Sequence, residues 1–152
     1  MWEENHMWNE ISDANDLSEF MEKIGYFHDS CIKEIKYTSG AYVGEDLAMY
    51  PINDRRTLSV IIQRQFDNIS MLELKFEGLC YLNLFPADTQ YTCEILDSTM
   101  ILKSDRIYWC DSGGLSENDL VHYDGTLVCA SKLRWRPIEG CMGQKEFFVS
   151  VM

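Results

Sequence analysis

The chain has 152 residues, 46% of them hydrophobic and 12% aromatic, and this composition excludes a disordered chain and predicts a single domain over residues 1–152 with a packed core. Twenty-five Asp and Glu against 13 Lys and Arg give a formal net charge of −12, which disfavours partners such as nucleic acids and anionic membranes. No run approaches about 18 consecutive apolar residues, so no transmembrane helix is expected.

The first predicted element is a helix over DANDLSEFMEKIG, residues 13–25. Its apolar residues share one helical face: Leu17, Phe20, Met21 and Ile24. Asn15 or Asp16 is the expected N-cap, and Gly25 the expected left-handed residue at the end. Upstream, Trp2 and Trp8 predict that the terminus packs against the domain.

Most of the remaining chain predicts strands, and the longest apolar segment, residues 57–85, predicts the core strands. Leu72, Leu74 and Phe76 alternate with charged residues, which is typical of a half-buried antiparallel strand. A preceding strand over residues 58–63 completes a hairpin that turns at 67–70. Before it, residues 37–43 predict a strand interrupted by a turn at 39–40, and residues 50–56 predict a loop.

Further strands are predicted at residues 91–95, in a hairpin over 100–109 that turns at KSDR, at 127–136, and at the final FFVSV, residues 147–151. Residues 111–119 predict a loop with a short helical turn from Ser116. Because no helix separates these strands, the sheet should be mainly antiparallel. The predicted fold class is α+β, mostly β: an antiparallel curved sheet, a sandwich or an open barrel, with one N-terminal helix.

The segment after the helix, GYFHDSCIKEIKY, holds the only concentration of potentially reactive side chains: His28, Asp29, Ser30 and Cys31. A thiolate beside an imidazolium is an activated nucleophile, so a site at His28 and Asp29 is one hypothesis. The other is structural, because neighbours on a strand point to opposite faces and catalytic triads join distant segments. We favour a corner that orders the start of a strand, and we assign no catalytic residue.

The same phrase FHDS, followed by an amphipathic strand, resembles the opening of small bacterial domains of unknown function, some of which are grouped with the immunity proteins of polymorphic-toxin systems. The resemblance covers residues 25–37, and no functional residue is carried over from it. It implies a cytoplasmic protein that neutralises a toxin by binding it.

Six cysteines are present: Cys31, Cys80, Cys93, Cys110, Cys129 and Cys141. None forms a CxxC pair, and the acidic N-terminus lacks the pattern of a secretory signal, so free thiols and a cytoplasmic location are expected. His6, His28 and His122 lack the spacing of metal ligands, and no nucleotide-binding loop is recognisable. We therefore expect no metal and no cofactor.

A basic row on a late strand, Lys132, Arg134 and Arg136, either binds acidic groups or forms an exposed sheet face that is matched by neighbouring Asp and Glu. We favour the second interpretation. Likewise Tyr108, Trp109 and Trp135 either line a pocket or belong to the core, and strand aromatics usually belong to the core.

These observations favour a non-enzymatic, acidic, cytoplasmic protein-binding domain that binds a basic protein through an acidic face with exposed aromatics, and the resemblance implies that the domain is immunity-like. The alternative is a small-ligand binding domain or a hydrolase-like enzyme with its site near His28 and Asp29. A deep pocket joining His28 to another titratable group would favour the alternative, and a shallow acidic patch would favour the binder. A monomer is the default expectation, although a dimer is conceivable.

Overall fold

The computed structural model describes residues 8–149. In chain order its elements are β1 (Asn9–Ile11), α1 (Ala14–Lys23), a 3-10 turn (Gly25–Phe27), β2 (Ser30–Thr38), β3 (Tyr42–Val43), β4 (Met49–Tyr50), β5 (Thr57–Arg64), β6 (Met71–Asn83), β7 (Thr99–Lys103), β8 (Arg106–Cys110), α2 (Glu117–Val121) and β9 (Leu127–Pro137). The described residues thus carry a second, short helix that begins at the predicted turn after Ser116.

The main sheet is a seven-stranded antiparallel sheet in the order β2-β5-β6-β9-β8-β7, with β1 also paired to β9. It is open, because β2 and β7 lie at its two ends. The predicted class, mostly β with an antiparallel sheet and an N-terminal helix, is confirmed. No helix within residues 8–149 is both long and apolar enough to cross a membrane.

The predicted central hairpin is formed by β5 and β6, in which Leu58 lies opposite Phe76 and Val60 opposite Leu74. These side chains are fully buried on the face of the sheet that α1 covers. Alternation along both strands therefore places one complete apolar row in the core.

Helix α1 packs its apolar face onto that row. Asp13 is its N-cap and accepts a hydrogen bond from the Asp16 backbone N–H at 2.8 Å, so the expected cap at Asn15 or Asp16 is wrong. Asp13 fits the role because its backbone is extended just before the helix. At the other end Gly25 has φ +59°, which confirms the predicted left-handed residue.

Aromatic side chains form the centre of the core. The ring centroids of Phe20 and Trp135 lie 4.9 Å apart, and those of Phe27 and Trp109 lie 5.1 Å apart. Both tryptophans are buried, so their interpretation as core residues is confirmed. Tyr108 is only half-buried and packs against a separate apolar cluster. Since Phe27 ends the 3-10 turn between α1 and β2, these contacts fix where the chain enters β2.

The opposite face of the sheet carries the basic row, and it is matched by acids. Arg136 pairs with Glu73 at 2.8 Å and Arg134 with Glu77 at 3.1 Å. The Trp8 ring lies over both guanidinium groups, 4.5 Å from Arg136 and 5.2 Å from Arg134. The predicted match with acidic residues is therefore confirmed for Arg134 and Arg136. The prediction of an exposed face is wrong at Arg136 and Glu73, whose side chains are only 14% and 7% exposed. Trp8 packs down as predicted, whereas Trp2 lies outside the described residues.

Two predicted strands are wrong. Residues 91–95 form an irregular loop in which only Ile95 makes a bridge, to Ser30; a turn held by Asp88 precedes it and gives the alternating side chains no partner strand. Residues 147–149 of the predicted last strand are also irregular, because the N–H groups of Phe147 and Phe148 donate to the Glu34 carboxylate at 2.6 and 3.0 Å. Residues 150 and 151 lie outside the described residues.

Candidate functional site

The reactive-looking cluster forms a tight corner between α1 and β2. Phe27 and Asp29 both have left-handed backbone, with φ of 61° and 56°. The Asp29 N–H donates to the Ile95 carbonyl at 3.0 Å, and its own carbonyl accepts from the Gln65 N–H at 3.1 Å. The corner therefore ties together three segments that are distant in sequence.

His28 and Asp29 are in contact. The His28 Nε2 atom lies 3.2 Å from the Asp29 carboxylate, and its Nδ1 lies 2.8 Å from the Leu96 carbonyl. Half of the His28 side chain is exposed. Through Leu96, the imidazole ring holds the end of the irregular loop that precedes β7.

Neither neighbouring nucleophile is in an activated state. The Ser30 hydroxyl is buried and donates to the Phe27 carbonyl, so it is occupied by a backbone group. Burial raises the pKa of the Cys31 thiol, and the nearby Cys93 thiol raises it further, which disfavours the thiolate that nucleophilic chemistry requires.

An open cleft of about 420 Å³ lies beside this corner. Its polar lining comes from the corner, the end of β5 and the loop before β7, namely Asp29, Cys31, Gln63, Gln65, Thr92 and Glu94. Asp29 faces the cleft, whereas His28 is not among the lining residues. The structure thus brings His28 to Asp29 but does not place both in one pocket.

Arg64 also borders the cleft and is buried, but its guanidinium group serves the turn between β5 and β6. Its Nη1 donates to the carbonyls of Asn68 and Ile69 at 2.8 and 2.7 Å, and its Cζ lies 4.8 Å from the Phe66 ring centroid. Among the described residues no carboxylate pairs with it. Arg64 therefore acts as a turn-stabilising residue.

Metal ligands do not converge in the described part of the chain: residues 8–149 hold no group of three or more His, Cys, Asp or Glu that could bind an ion. The described cysteines are free thiols, and burial raises the pKa of Cys110 and Cys129. Cys80 and Cys93 are exposed, because Cys80 sits at a bulge of β6 and Cys93 in the loop before β7.

A surface that the sequence analysis missed lies in the connection between β2 and β5. Strands β3 and β4 form a separate two-stranded ribbon, with Tyr42 opposite Tyr50 and Val43 opposite Met49. We call residues 41–52 the arm. Its large apolar side chains are all exposed: Tyr42, Val43, Leu47, Met49, Tyr50 and Ile52.

The arm has defined local geometry. The Tyr42 and Tyr50 rings stack with centroids 4.8 Å apart, and the Asp46 carboxylate accepts from the Ala48 N–H at 3.0 Å in the turn. At its base Gly40 has φ +105° and lies so close to Asp54 that a side chain at this position would clash with it. The arm is therefore an ordered hairpin although its large apolar side chains are exposed.

No protein-family model, curated protein or solved structure matches this chain.

Proposed function

We propose that this protein is a non-enzymatic, acidic protein-binding domain whose partner is a basic protein. In the immunity-like form of the proposal, which follows the resemblance at residues 25–37, that partner is a toxin that the domain neutralises by binding. A cytoplasmic location belongs to the same proposal.

The observation that carries the proposal is the exposed apolar surface of the arm. Single exposed apolar residues are ordinary on a protein surface, but a contiguous apolar patch on a folded segment is typical of an interaction site. Tyrosine and methionine, which the arm presents at Tyr42, Met49 and Tyr50, are among the residues enriched in protein interfaces.

Charge supports a basic partner. The net charge of −12 would accelerate encounter with a cationic surface and would repel acidic proteins. The corner at His28 and Asp29 gives less support to catalysis, because the Ser30 hydroxyl is bound to the backbone and the pKa of Cys31 is raised.

The experiment is a pull-down from the native lysate with the tagged protein as bait and the tag alone as control, at low and at moderate salt. We expect one basic protein to be retained at low salt and largely released at moderate salt, since salt screens exposed charges. Retention of nothing beyond the tag control, or of an acidic protein that salt does not release, would contradict the proposal.

A small-ligand site near His28 and Asp29 is the second candidate, and the cleft lined by Asp29 and Glu94 favours it. The test is a thermal-shift screen of the purified protein against small cationic and zwitterionic compounds. A compound that raises the Tm of the wild type but not of Asp29→Asn would support this candidate, and a flat screen would count against it.

A further inference from the structure

We infer that the arm inserts into an apolar cleft of the partner protein, with Leu47 as its anchor and with Glu45 and Asp46 meeting cationic side chains at the base of that cleft. This inference rests on the proposed function and names the surface that performs it. Three observations on the arm lead to it.

The first observation is the backbone conformation of the hairpin loop at the tip of the arm. The Leu47 N–H donates to the Gly44 carbonyl at 2.8 Å, and the Gly44 N–H donates to the Ala48 carbonyl at 2.9 Å. This is a three-residue hairpin loop, a turn followed by one left-handed residue, and glycine is the residue that suits the left-handed position. Here that position is Leu47, with φ +70°.

Leu47 is also 84% exposed, more than any other large apolar residue described. It therefore opposes folding twice, through its left-handed backbone and through its solvent-exposed side chain, which joins none of the hydrophobic clusters formed by residues 8–149. Departures from local rules without an internal benefit are expected at functional sites. A leucine in this position has a use only when another surface covers it.

The second observation is that both faces of the arm are apolar and exposed. Successive residues of a strand point to opposite faces, so the pair Tyr42 and Tyr50 lies on one face and the pair Val43 and Met49 on the other. All four side chains are exposed. A flat partner surface would cover one face only, whereas a cleft with two walls covers both.

The third observation is charge. Residues 41–52 contain two acidic residues, Glu45 and Asp46, and no Lys or Arg. Both lie at the tip beside Leu47 and are exposed. The part of the partner that the tip reaches should therefore carry Lys or Arg, because complementary charge fixes register and suppresses wrong partners.

The test uses Leu47→Gly and Leu47→Asn, two variants that suit the left-handed backbone. The binding probe is the polypeptide that the wild type retains from its native lysate at low salt, purified and titrated by calorimetry. We expect both variants to keep or raise the Tm while their affinity for this polypeptide falls at least tenfold. Val121→Ala, which trims an exposed side chain on α2, is the matched control and should bind like the wild type.

A photo-crosslinking amino acid tests the two-walled geometry. Placed at Val43 in one variant and at Tyr50 in another, it should give adducts with that same polypeptide from both faces of the arm. Adducts from one face alone would overturn insertion into a cleft.

The remaining outcomes separate the two proposals. If the polypeptide binds the Leu47 variants as tightly as the wild type, the role of the arm is refuted while the protein-binding function stands. A fall in Tm of both variants would show that Leu47 supports the fold, and would overturn its assignment as an anchor. If the wild type retains no polypeptide, the function and the role of the arm fall together.

Discussion

The ion pair between Glu73 and Arg136 should be the most costly polar contact to break. Its side chains are only 7% and 14% exposed, and two contacts of 3.0 and 2.8 Å join the Arg136 guanidinium to one carboxylate oxygen. Arg136→Met leaves the Glu73 carboxylate with little water and without its cation. Removal of one partner from a buried pair costs about 3 to 5 kcal/mol, and the residual exposure here favours about 3 kcal/mol.

The neighbouring pair of Glu77 and Arg134 provides a matched control. It joins the same two strands with the same chemistry, but its side chains are 35% and 30% exposed, so Arg134→Met should cost about 1 kcal/mol or less. Each substitution also removes one cation from the Trp8 ring. The difference between the two variants therefore isolates the effect of burial, about 2 kcal/mol.

Urea denaturation followed by tryptophan fluorescence measures both free energies of unfolding. For a chain of this length, about 3 kcal/mol corresponds to a fall in Tm of about 6 to 12 °C. The double variant Glu73→Leu with Arg136→Met should recover most of the loss, because it leaves no buried charge. Equal destabilisation by Arg136→Met and Arg134→Met, or no recovery in the double variant, would refute the reasoning.

Three further predictions each concern the environment of individual side chains. Burial and a neighbouring carboxylate raise the pKa of Tyr123 far above its usual range, so this phenol ionises at lower pH in the unfolded chain than in the folded one. The free energy of unfolding should therefore fall as the pH rises beyond about 10. Urea titrations at each pH should show a smaller fall in Tyr123→Phe than in the wild type. At neutral pH an aromatic disulfide reagent should modify the exposed Cys80 and Cys93 before Cys110, whose thiol is buried and whose pKa is raised; peptide mass spectrometry reads the order, and early labelling of Cys110 would contradict it. Ser30→Ala should lower the free energy of unfolding by about 1 to 2 kcal/mol, because it leaves a buried backbone carbonyl without its donor; an unchanged urea midpoint would show that the corner does not depend on this hydrogen bond.

The fold was largely predictable from the sequence where periodicity and burial agree. The spacing of Phe20, Met21 and Ile24 required a buried helical face, and the alternation at residues 72–76 required one buried strand face, because either pattern would otherwise leave apolar rows in water. Both elements formed as expected. The alternation of residues 91–95 was misleading. A strand forms only where another strand has an unpaired edge with which it can hydrogen-bond, and no local sequence pattern shows whether such an edge is available.

The arm could not be predicted for a related reason. Its strands are only two residues long, too short for any periodicity to register, and the left-handed residue in its turn is Leu47 rather than the glycine or asparagine that signals a hairpin. The one signal in the sequence was the number of apolar residues in this connection, which is more than a solvent-exposed loop requires. That signal can be recognised only when it is known which other apolar residues form the core, and this knowledge comes from the structure.

The contrast between the corner and the arm bears on where function should be sought in this molecule. His28, Asp29 and Ser30 belong to residue types associated with catalysis, yet each makes a contact that joins segments of the fold. Leu47 and Met49 have no reactive chemistry, yet they remain 84% and 64% exposed, whereas the apolar residues of β5 are fully buried. Because an exposed apolar side chain in an ordered turn gains nothing from folding, the arm is the better candidate for a binding surface, and the Leu47 variants test that directly.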